Sequence, residues 1–314
     1  MSPSEQASDL NPIIYFNGNF VRARDAAISV FDHGFLYGDG AFEGIRIDNG
    51  GIFRLREHVA RLFMSLHYLR IPMILTQEEV AEAVKETARR NDLADGYLRP
   101  LVTRGVGPLG IETSKSISEP TFVIIPQARR KFDDEVRTKT GLKAKVVSVR
   151  RTPSESVDSR IKSCNYINNI LGKFEQWDAG ADAGIMLSTD GYVSEGCSEN
   201  IFCVSQGSVK TPPVTRVLDG ITRRAVMQLA HDRGYAVSET DLTVYDLYNA
   251  DEVFVTGTLT EVVPLTTIDG RKIGDGTAGP ITRTLLAALR ELMAEEAEVA
   301  LGGKSEAVPS GGSA

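Results

Sequence analysis

The sequence predicts a mixed α and β protein with two domains. Segments with helical spacing of apolar residues alternate with short strand-like segments along both halves of the chain. Between the halves lies "ARRKFDDEVRTKTG" (128–141), a charged, poorly patterned stretch that is typical of an interdomain linker. The 314 residues suffice for two hydrophobic cores. We therefore expect a small domain over 13–127, a large domain over 142–300, and polar, disordered termini at 1–12 and 301–314.

The first half is predicted to hold strand pairs and two helices. Asn17 and Gly18 within "IIYFNGNFVRA" form a hairpin-turn dipeptide, and "DNGG" (48–51) separates two further strand-like runs. Thr76 and Glu79 form a capping box at the start of the second helix. The predicted helices cover 56–69 and 76–91, and the strands that follow them cover 97–104 and 121–127.

The second half begins with a strand and continues with helices and short strands. Helical spacing of apolar residues places the helices at 164–179, 221–234 and 280–296. The predicted strands are 143–150, 183–188, 198–204, 207–210, 236–241 and 252–257.

The composition excludes several classes of partner. A net charge of −7 argues against nucleic acid or an anionic membrane surface as the main partner. The chain has three cysteines without a C-x-x-C pair, which predicts neither a disulfide framework nor a zinc site and favours a reducing compartment. The four histidines have no metal-ligand spacing, so no metal is expected. The first dozen residues do not resemble a signal peptide and no run is apolar enough to span a membrane, so we expect a cytoplasmic protein.

One glycine-rich segment matches the sequence pattern of a dinucleotide-binding site. "GVGPLG" (105–110) matches G-x-G-x-x-G after a predicted strand, but such a site needs a helix to begin there. Pro108 lies inside the motif, and "IETSKSISEP", which follows, is not a helical sequence. A glycine-rich surface loop is therefore the better interpretation.

Lys162 is the first candidate for chemistry. It lies within "RIKSCNYINN" (160–169), where a predicted strand is followed by a predicted helix. The dipole at a helix N-terminus disfavours an ammonium ion, so a lysine there is biased toward the neutral, nucleophilic amine. Judged alone, an ordinary solvated lysine is the simpler interpretation.

Three other segments carry weaker signals. "GYVSEGCSENIF" (191–202) offers Glu195, which could lie buried against a cation or a protonated ring nitrogen. "LDGITRRAVMQLA" (218–230) exposes the N–H groups of Ile221 and Thr222 at a helix start, which suits a phosphate. "FVTGTLTE" (254–261) is a Gly-Thr turn whose amides suit an anion. Each has an ordinary structural explanation when taken singly: an exposed carboxylate, a plain helix cap or a tight loop.

Together these segments supply what pyridoxal 5′-phosphate requires of a protein. The cofactor needs a lysine amine, an acidic partner for its pyridine nitrogen and a cup for its phosphate. All three are present in the second half of the chain. The combination therefore favours a pyridoxal-phosphate enzyme.

The chain resembles fold-type IV pyridoxal-phosphate enzymes, and within them the branched-chain amino acid aminotransferases. The resemblance rests on motifs that occur in the family's order and covers roughly 13 to 290. In the second half these are "RIKSCNYINN", "YVSEGCSENIF", "VLDGITR" and "VTGTLTEVVPL". In the first half they are "DHGFLYGDGAFEGIR", "FRLREHVARL" and "YLRPLVTRGVG".

The resemblance implies roles for the cofactor-binding residues. Lys162 would bond to the cofactor and then move a proton between the substrate α-carbon and the cofactor. Glu195 would pair with the pyridine nitrogen, and Tyr166 would donate a hydrogen bond to the ring oxygen. The phosphate would be held by Arg56 and by the backbone N–H groups of Ile221, Thr222 and Thr258.

The resemblance also implies a substrate pocket and a subunit contact. Its pocket residues would be Tyr37, Phe42, Tyr97 and Arg99, together with the N–H groups of Thr258 and Leu259 near the α-carboxylate. Phe42 would face a branched side chain and Arg99 the distal carboxylate of glutamate. The loop "GPLGI" (107–111) would close over the site of a neighbouring subunit, which implies at least a homodimer.

The implied reaction is transfer of an amino group from leucine, isoleucine or valine to 2-oxoglutarate, and two relatives remain as alternatives. D-amino acid aminotransferases of this fold place an arginine and a histidine in the loop that reads "GPLGI" here, and (R)-amine transaminases tend to carry a mobile arginine there. Leu109 and Ile111 are uncharged, which favours the branched-chain interpretation. "PQARRKF" (126–132) departs from the bacterial branched-chain pattern because Arg129, Arg130 and Lys131 replace an aromatic segment. A non-catalytic cofactor-binding relative is the remaining alternative.

Overall fold

A computed structural model describes residues 11–128 and 134–301, and these residues build two sheets. The expected mixed α and β class is confirmed. Along the described residues the α-helices are α1 (His33–Tyr37), α2 (Leu55–Leu69), α3 (Gln77–Arg90), α4 (Ile167–Asp178), α5 (Ile221–Asp232), α6 (Val244–Tyr248) and α7 (Pro280–Glu295). None of these helices is long and apolar enough to cross a membrane.

The first sheet has eight strands, and all of its pairings are antiparallel. Seven come from the first half of the chain: β1 (Ile13–Phe16), β2 (Asn19–Arg22), β3 (Gly40–Phe42), β4 (Ile45–Asp48), β5 (Gly51–Phe53), β6 (Gly96–Thr103) and β7 (Thr121–Ala128). The eighth strand is β17 (Ala297–Val299), and the sheet order is β17-β5-β4-β6-β7-β1-β2, with β3 beside β6. The predicted hairpin turn is present, since Asn17 and Gly18 both have positive φ between β1 and β2. The predicted capping box is also confirmed, because Thr76 and Glu79 bond reciprocally at the start of α3.

The second sheet has nine strands with mixed directions. They are β8 (Leu142–Arg150), β9 (Ala183–Leu187), β10 (Val193–Gly196), β11 (Asn200–Ser205), β12 (Ser208–Thr211), β13 (Val237–Glu239), β14 (Glu252–Gly257), β15 (Glu261–Ile268) and β16 (Arg271–Lys272). The order is β10-β9-β8-β15-β14-β11-β12-β13, with β16 beside β15. Side chains alternate across β14: Val253 and Val255 enter one core, while Phe254 stacks on Phe202 in the other. The second sheet is therefore buried on both faces.

β17 (Ala297–Val299) links the C-terminus back to the first sheet. It pairs antiparallel with β5, although our sequence prediction assigned 142–300 to the large domain as one block. The pairing covers the edge that β5 would otherwise expose. The first sheet therefore uses residues from both ends of the described chain.

The predicted linker is partly packed structure. Residues 129–133, including Arg129, Arg130 and Lys131, lie outside the described residues. Val136–Thr140 forms a π-helix, and the Arg137 side chain is buried there beside Glu261. The end of the linker therefore packs against the second sheet.

The loop containing "GVGPLG" does not open a helix of the dinucleotide type. Gly105 and Gly110 both have positive φ, and the segment that follows, Ile111–Ser116, is a 3-10 helix. A pyrophosphate site needs the N-terminus of an α-helix at this point. The surface-loop interpretation agrees with the structure.

Candidate active site

A pocket lined by Arg61 of the first half and by residues of the second half contains the strongest candidates from the sequence. A single cavity is lined by Lys162, Tyr166, Glu195, Ile221, Thr222 and Thr258. These residues come from four segments separated by up to 96 positions in the chain, so their meeting is a property of the fold.

Lys162 is held by a strand-like contact with the first sheet. Its carbonyl accepts a hydrogen bond from the Phe42 N–H at 2.9 Å, and its neighbour Ser163 forms an isolated bridge with Ala41. α4 begins only at Ile167, so Lys162 does not lie at the helix N-terminus that we expected. The backbone at Lys162 and Ser163 pairs with β3 instead of forming a helical turn, and α4 begins after this pairing. The argument from the helix dipole was therefore wrong for this lysine.

The Lys162 amine lies in a partly apolar setting beside a phenol. Its Nζ is 3.4 Å from the Tyr166 hydroxyl and 4.8 Å from the centre of the Phe42 ring. The rings of Phe42 and Tyr166 pack edge to face at 5.1 Å. The amine is thus directed at a space walled by two aromatic rings.

Glu195 is buried and accepts hydrogen bonds from three donors. It lies on β10, and its carboxylate accepts hydrogen bonds from Arg151 Nε at 2.8 Å, Asn200 Nδ2 at 3.2 Å and the Leu218 N–H at 3.0 Å. These three donors fix the position of the carboxylate in the pocket lining. The sequence indicated the carboxylate but not Arg151, which follows the end of β8.

Two backbone turns form an anion cup. α5 begins after Gly220, so no N-cap side chain binds the first N–H groups of the helix, and the residues that carry them, Ile221 and Thr222, line the pocket. Gly257 and Thr258, in the turn after β14, line the same pocket. The expectation that these two segments form one site is consistent with this geometry.

The arginine of the cup is Arg61, and the expectation for Arg56 was wrong. The Arg56 side chain is 85% exposed, and its ion-pair partner is Glu298 at 4.0 Å. Arg61 is buried, lines the pocket, and donates to the Asp219 carbonyl at 2.7 Å, just ahead of α5. Both residues belong to α2, but they lie on different sides of it.

None of the five predicted substrate residues is in the lining of this pocket, and their contacts are as follows. Arg99 places its guanidinium 4.4 Å from the centre of the Phe42 ring and donates to the Tyr97 hydroxyl at 2.9 Å. Tyr37 is more exposed and accepts a hydrogen bond from the Gly110 N–H at 2.8 Å. Leu259 is exposed, and its carbonyl accepts from Arg137 at 3.2 Å. Phe42 is the member of this group that touches the lysine.

The pocket contains buried hydroxyls that suit a polar ligand. Ser159 Oγ and Thr256 Oγ1 both line it, are buried, and have no hydrogen-bond partner among the described residues. A buried hydroxyl without a partner costs free energy, which a bound polar group would recover. No group of His, Cys, Asp or Glu among the described residues could hold a metal ion. An anionic, polar cofactor fits these donors.

The fold and the pocket together define a pyridoxal-phosphate aminotransferase. The family model described as amino-transferase class IV matches residues 40–268, and the chain belongs to this family. Enzymes of this family use pyridoxal 5′-phosphate, whose needs the amine, the buried carboxylate and the anion cup meet.

Known relatives match nearly the whole chain. A Methanocaldococcus jannaschii protein named "Putative branched-chain-amino-acid aminotransferase" is 47% identical over 87% of this chain and 93% of its own length. A branched-chain-amino-acid aminotransferase of Pseudomonas aeruginosa is 36% identical over 93% of this chain and 96% of its own.

Solved structures of branched-chain aminotransferases also match nearly the whole chain. The T.th. branched-chain amino acid aminotransferase with pyridoxamine 5′-phosphate superposes with a TM-score of 0.87, at 37% identity over 91% of this chain and 95% of that one. The same enzyme has been solved with N-(5′-phosphopyridoxyl)-L-glutamate, at a TM-score of 0.85, and with 4-methylvaleric acid, at 0.84. The chain therefore has the fold of the branched-chain aminotransferases of fold type IV.

Proposed function

We propose that the protein moves an amino group from a branched-chain L-amino acid to 2-oxoglutarate, giving a branched-chain 2-oxo acid and L-glutamate. The observation that carries this is the wall beside Lys162. Phe42 offers an apolar surface to the amine, and Arg99 lies over the same ring with its positive charge. One pocket can thus receive a branched aliphatic side chain in one half-reaction and the distal carboxylate of glutamate in the other.

The relatives support both halves of this specificity. The T.th. enzyme, similar in fold, has been solved with a glutamate adduct and with a branched aliphatic acid. Leu109 and Ile111 leave the adjacent loop without charge, which argues against the charged carboxylate grip of D-specific relatives.

In the proposed mechanism, the protein positions the cofactor and moves one proton. Pyridoxal 5′-phosphate, when bound, carries the amino group and accepts electrons from the substrate α-carbon. Lys162 Nζ would bond to the cofactor at rest, and once released by the substrate it would carry the proton to or from the α-carbon. Glu195 would hold the pyridine nitrogen protonated, and Tyr166 would donate to the ring oxygen. Arg151 orients Glu195 from the side, which fixes the carboxylate for this contact.

The cup would hold the phosphate end of the cofactor. Arg61, in place of the expected Arg56, would contribute its guanidinium beside the N–H groups of Ile221, Thr222 and Thr258. The N–H groups of Thr258 and Leu259 would receive the substrate α-carboxylate. Phosphate binding at the start of α5 follows from its exposed amides and its dipole.

A substrate panel with a lysine variant tests the proposal. The purified protein is mixed separately with L-leucine, D-alanine and (R)-1-phenylethylamine, each with a 2-oxo acid acceptor, and the products are quantified. We expect turnover of L-leucine only, and preference for either other donor would replace the proposed function. Lys162→Ala should abolish turnover. In the wild type, borohydride treatment should attach the cofactor covalently to the peptide that contains Lys162, and in the variant this attachment should be absent. If the variant kept both turnover and covalent attachment of the cofactor, the proposed mechanism would be wrong.

We further propose a homodimer in the cytoplasm. α4 presents an apolar stripe of exposed side chains, namely Ile167, Ile170, Leu171, Phe174 and Trp177. Leu109 and Ile111 are also exposed. Exposed apolar patches of this kind are typical of subunit contacts. Light scattering during size-exclusion chromatography should give twice the chain mass or more, and a Trp177→Glu variant should shift toward the monomer. The free state of Cys164, Cys197 and Cys203 agrees with a reducing compartment.

A further inference from the structure

A buried carboxylate holds the arginine of the anion cup. Glu43 is completely buried in the loop between β3 and β4 and accepts two hydrogen bonds from Arg61, from Nε at 2.7 Å and from Nη2 at 2.9 Å. His58, also buried, lies on the same carboxylate with Nδ1 at 2.8 Å from Oε2. None of these contacts was expected from the sequence.

The contacts leave Arg61 one orientation. A guanidinium is planar and has five N–H groups. Two are taken by Glu43 and a third, on Nη1, by the Asp219 carbonyl at 2.7 Å. Within the part of the chain that the structure describes, one N–H on each terminal nitrogen has no partner, and Arg61 lines the pocket. The Arg61 guanidinium is therefore fixed by Glu43 and Asp219, while its two remaining N–H groups are available to a ligand.

The charge states agree with this arrangement. Burial by itself would raise the pKa of Glu43, but the charge of Arg61 and the hydrogen bonds from His58 and Arg61 hold that pKa well below its usual range. Burial lowers the pKa of His58, against the opposing effect of Glu43. These shifts favour the Glu43 anion and the neutral His58 ring, and a neutral ring that contacts the anion through Nδ1 would donate its proton from that nitrogen.

The backbone around Glu43 is also fixed. Its N–H donates to the Pro100 carbonyl at 2.8 Å. The next residue, Gly44, lies against Tyr97, because a Cβ at Gly44 would stand 2.1 Å from the Tyr97 hydroxyl. Glu43 follows Phe42, so the wall of the substrate pocket and the support of the phosphate cup are consecutive residues.

We propose that Glu43 is a positioning residue, which fixes the Arg61 guanidinium so that its two uncommitted N–H groups meet the cofactor phosphate, with His58 steadying the carboxylate. This rests on the proposed function only in requiring a phosphorylated cofactor. A purely structural role, in which Glu43 merely neutralises a buried arginine, is the competing explanation.

Paired titrations separate the two explanations. Apo-protein is titrated with pyridoxal 5′-phosphate and with pyridoxal, which lacks the phosphate, and the dissociation constants are compared. Glu43→Gln keeps the shape but presents an amide N–H₂ to the guanidinium, so one of the two bonds is lost. We expect the affinity for pyridoxal 5′-phosphate to fall about tenfold or more, the loss of one charge-assisted bond. The affinity for pyridoxal should stay within about twofold.

Glu86→Gln is the matched control. Glu86 lies on α3 and also accepts from two arginines, Arg89 and Arg90. Its substitution removes a partly exposed carboxylate that also has two arginine partners but does not line the pocket, so neither affinity should change.

A structural role predicts a different pattern. Equal losses for the two ligands, or an unchanged affinity for the phosphorylated one in folded Glu43→Gln, would overturn the proposal. If Glu43→Gln does not fold, His58→Gln is measured instead, since it leaves the Glu43–Arg61 pair in place. We expect this variant to weaken the binding of pyridoxal 5′-phosphate, but not of pyridoxal, by about threefold to fivefold, which corresponds to one weak hydrogen bond. If the affinity for pyridoxal 5′-phosphate shows no such selective loss, the proposal is rejected. The wild-type substrate panel is independent: binding without turnover of L-leucine would contradict the proposed function and leave the role of Glu43 standing.

Discussion

Two arginines on one helix give a direct test of the phosphate cup. Arg61→Lys and Arg56→Lys make the same conservative change on α2, once inside the pocket and once on the surface. Arg61→Lys keeps a cation opposite Glu43, which avoids leaving a buried carboxylate unpaired. An ammonium has only three N–H groups on one atom, so it cannot keep the contacts with Glu43 and Asp219 and also reach a phosphate.

The expected loss follows from the number of contacts. The wild-type guanidinium has two N–H groups left for the ligand, and each hydrogen bond to a charged group is worth about 1.5–3 kcal/mol. Because the ammonium recovers part of this, we expect a net loss of about 3 kcal/mol, or roughly a hundredfold in the dissociation constant. Arg56→Lys changes a side chain that is 85% exposed, so its effect should stay within about 0.5 kcal/mol, about twofold.

The assay is a titration of apo-protein with pyridoxal 5′-phosphate, followed by absorbance. Thermal unfolding of each apo-variant serves as the control for folding. If Arg61→Lys bound the cofactor as tightly as wild type, or if Arg56→Lys weakened it equally, the assignment of Arg61 to the cup would be refuted.

Three further predictions concern acid stability, thiol reactivity and packing. Burial lowers the pKa of His58 below its ordinary value of 6.5, so the unfolded state takes up the proton first as pH falls. The stability that His58 contributes is thus complete above pH 6.5 and is lost below it, and His58→Gln should make the melting temperature fall less steeply between about pH 7 and 5. Burial raises the pKa of Cys164 to about 11, so iodoacetamide at about pH 8 should leave activity intact; rapid inactivation with labelling of this thiol would contradict the expectation. Gly220→Ala would place its Cβ 2.0 Å from Asn200 Oδ1 and displace a donor to Glu195, so we expect weaker cofactor binding and a stability loss of about 1–3 kcal/mol, measured by titration and denaturant unfolding. If cofactor affinity and stability both stayed at their wild-type values, the site would have accommodated the added methyl group, and this expectation would be wrong.

Local patterns predicted those parts of the fold that local chemistry decides. The Asn17-Gly18 hairpin and the Thr76–Glu79 capping box depend on residues a few positions apart, and both are present. β15 was not predicted, because Pro264 interrupts its apolar run and proline is rare in a central strand. β17 was missed for a different reason, since its pairing with β5 joins residues some 240 positions apart.

The error over Arg56 shows the same limit at the site. Arg56 and Arg61 are five residues apart, which separates them by about 140° around a helix. They therefore flank opposite edges of the apolar stripe of α2, and helical periodicity treats them alike. What distinguishes them is Glu43, which meets Arg61 only in the folded chain. The amine, the carboxylate and the two amide turns were predictable as motifs, but the residues that orient them, Arg151 and Glu43, were not.

The contacts that build the site also join the two sheets, so neither half of the chain forms the pocket alone. Phe42 of β3 fixes the backbone of Lys162, and Arg61 of α2 reaches the carbonyl of Asp219 ahead of α5. Arg46 of β4 pairs with Glu261 at the start of β15, next to the turn that contains Thr258. Weaker contacts between the two sheets would therefore move Lys162, Arg61 and the turn relative to one another. We expect cofactor affinity to fall when these contacts are weakened, since both halves of the chain supply residues to the pocket.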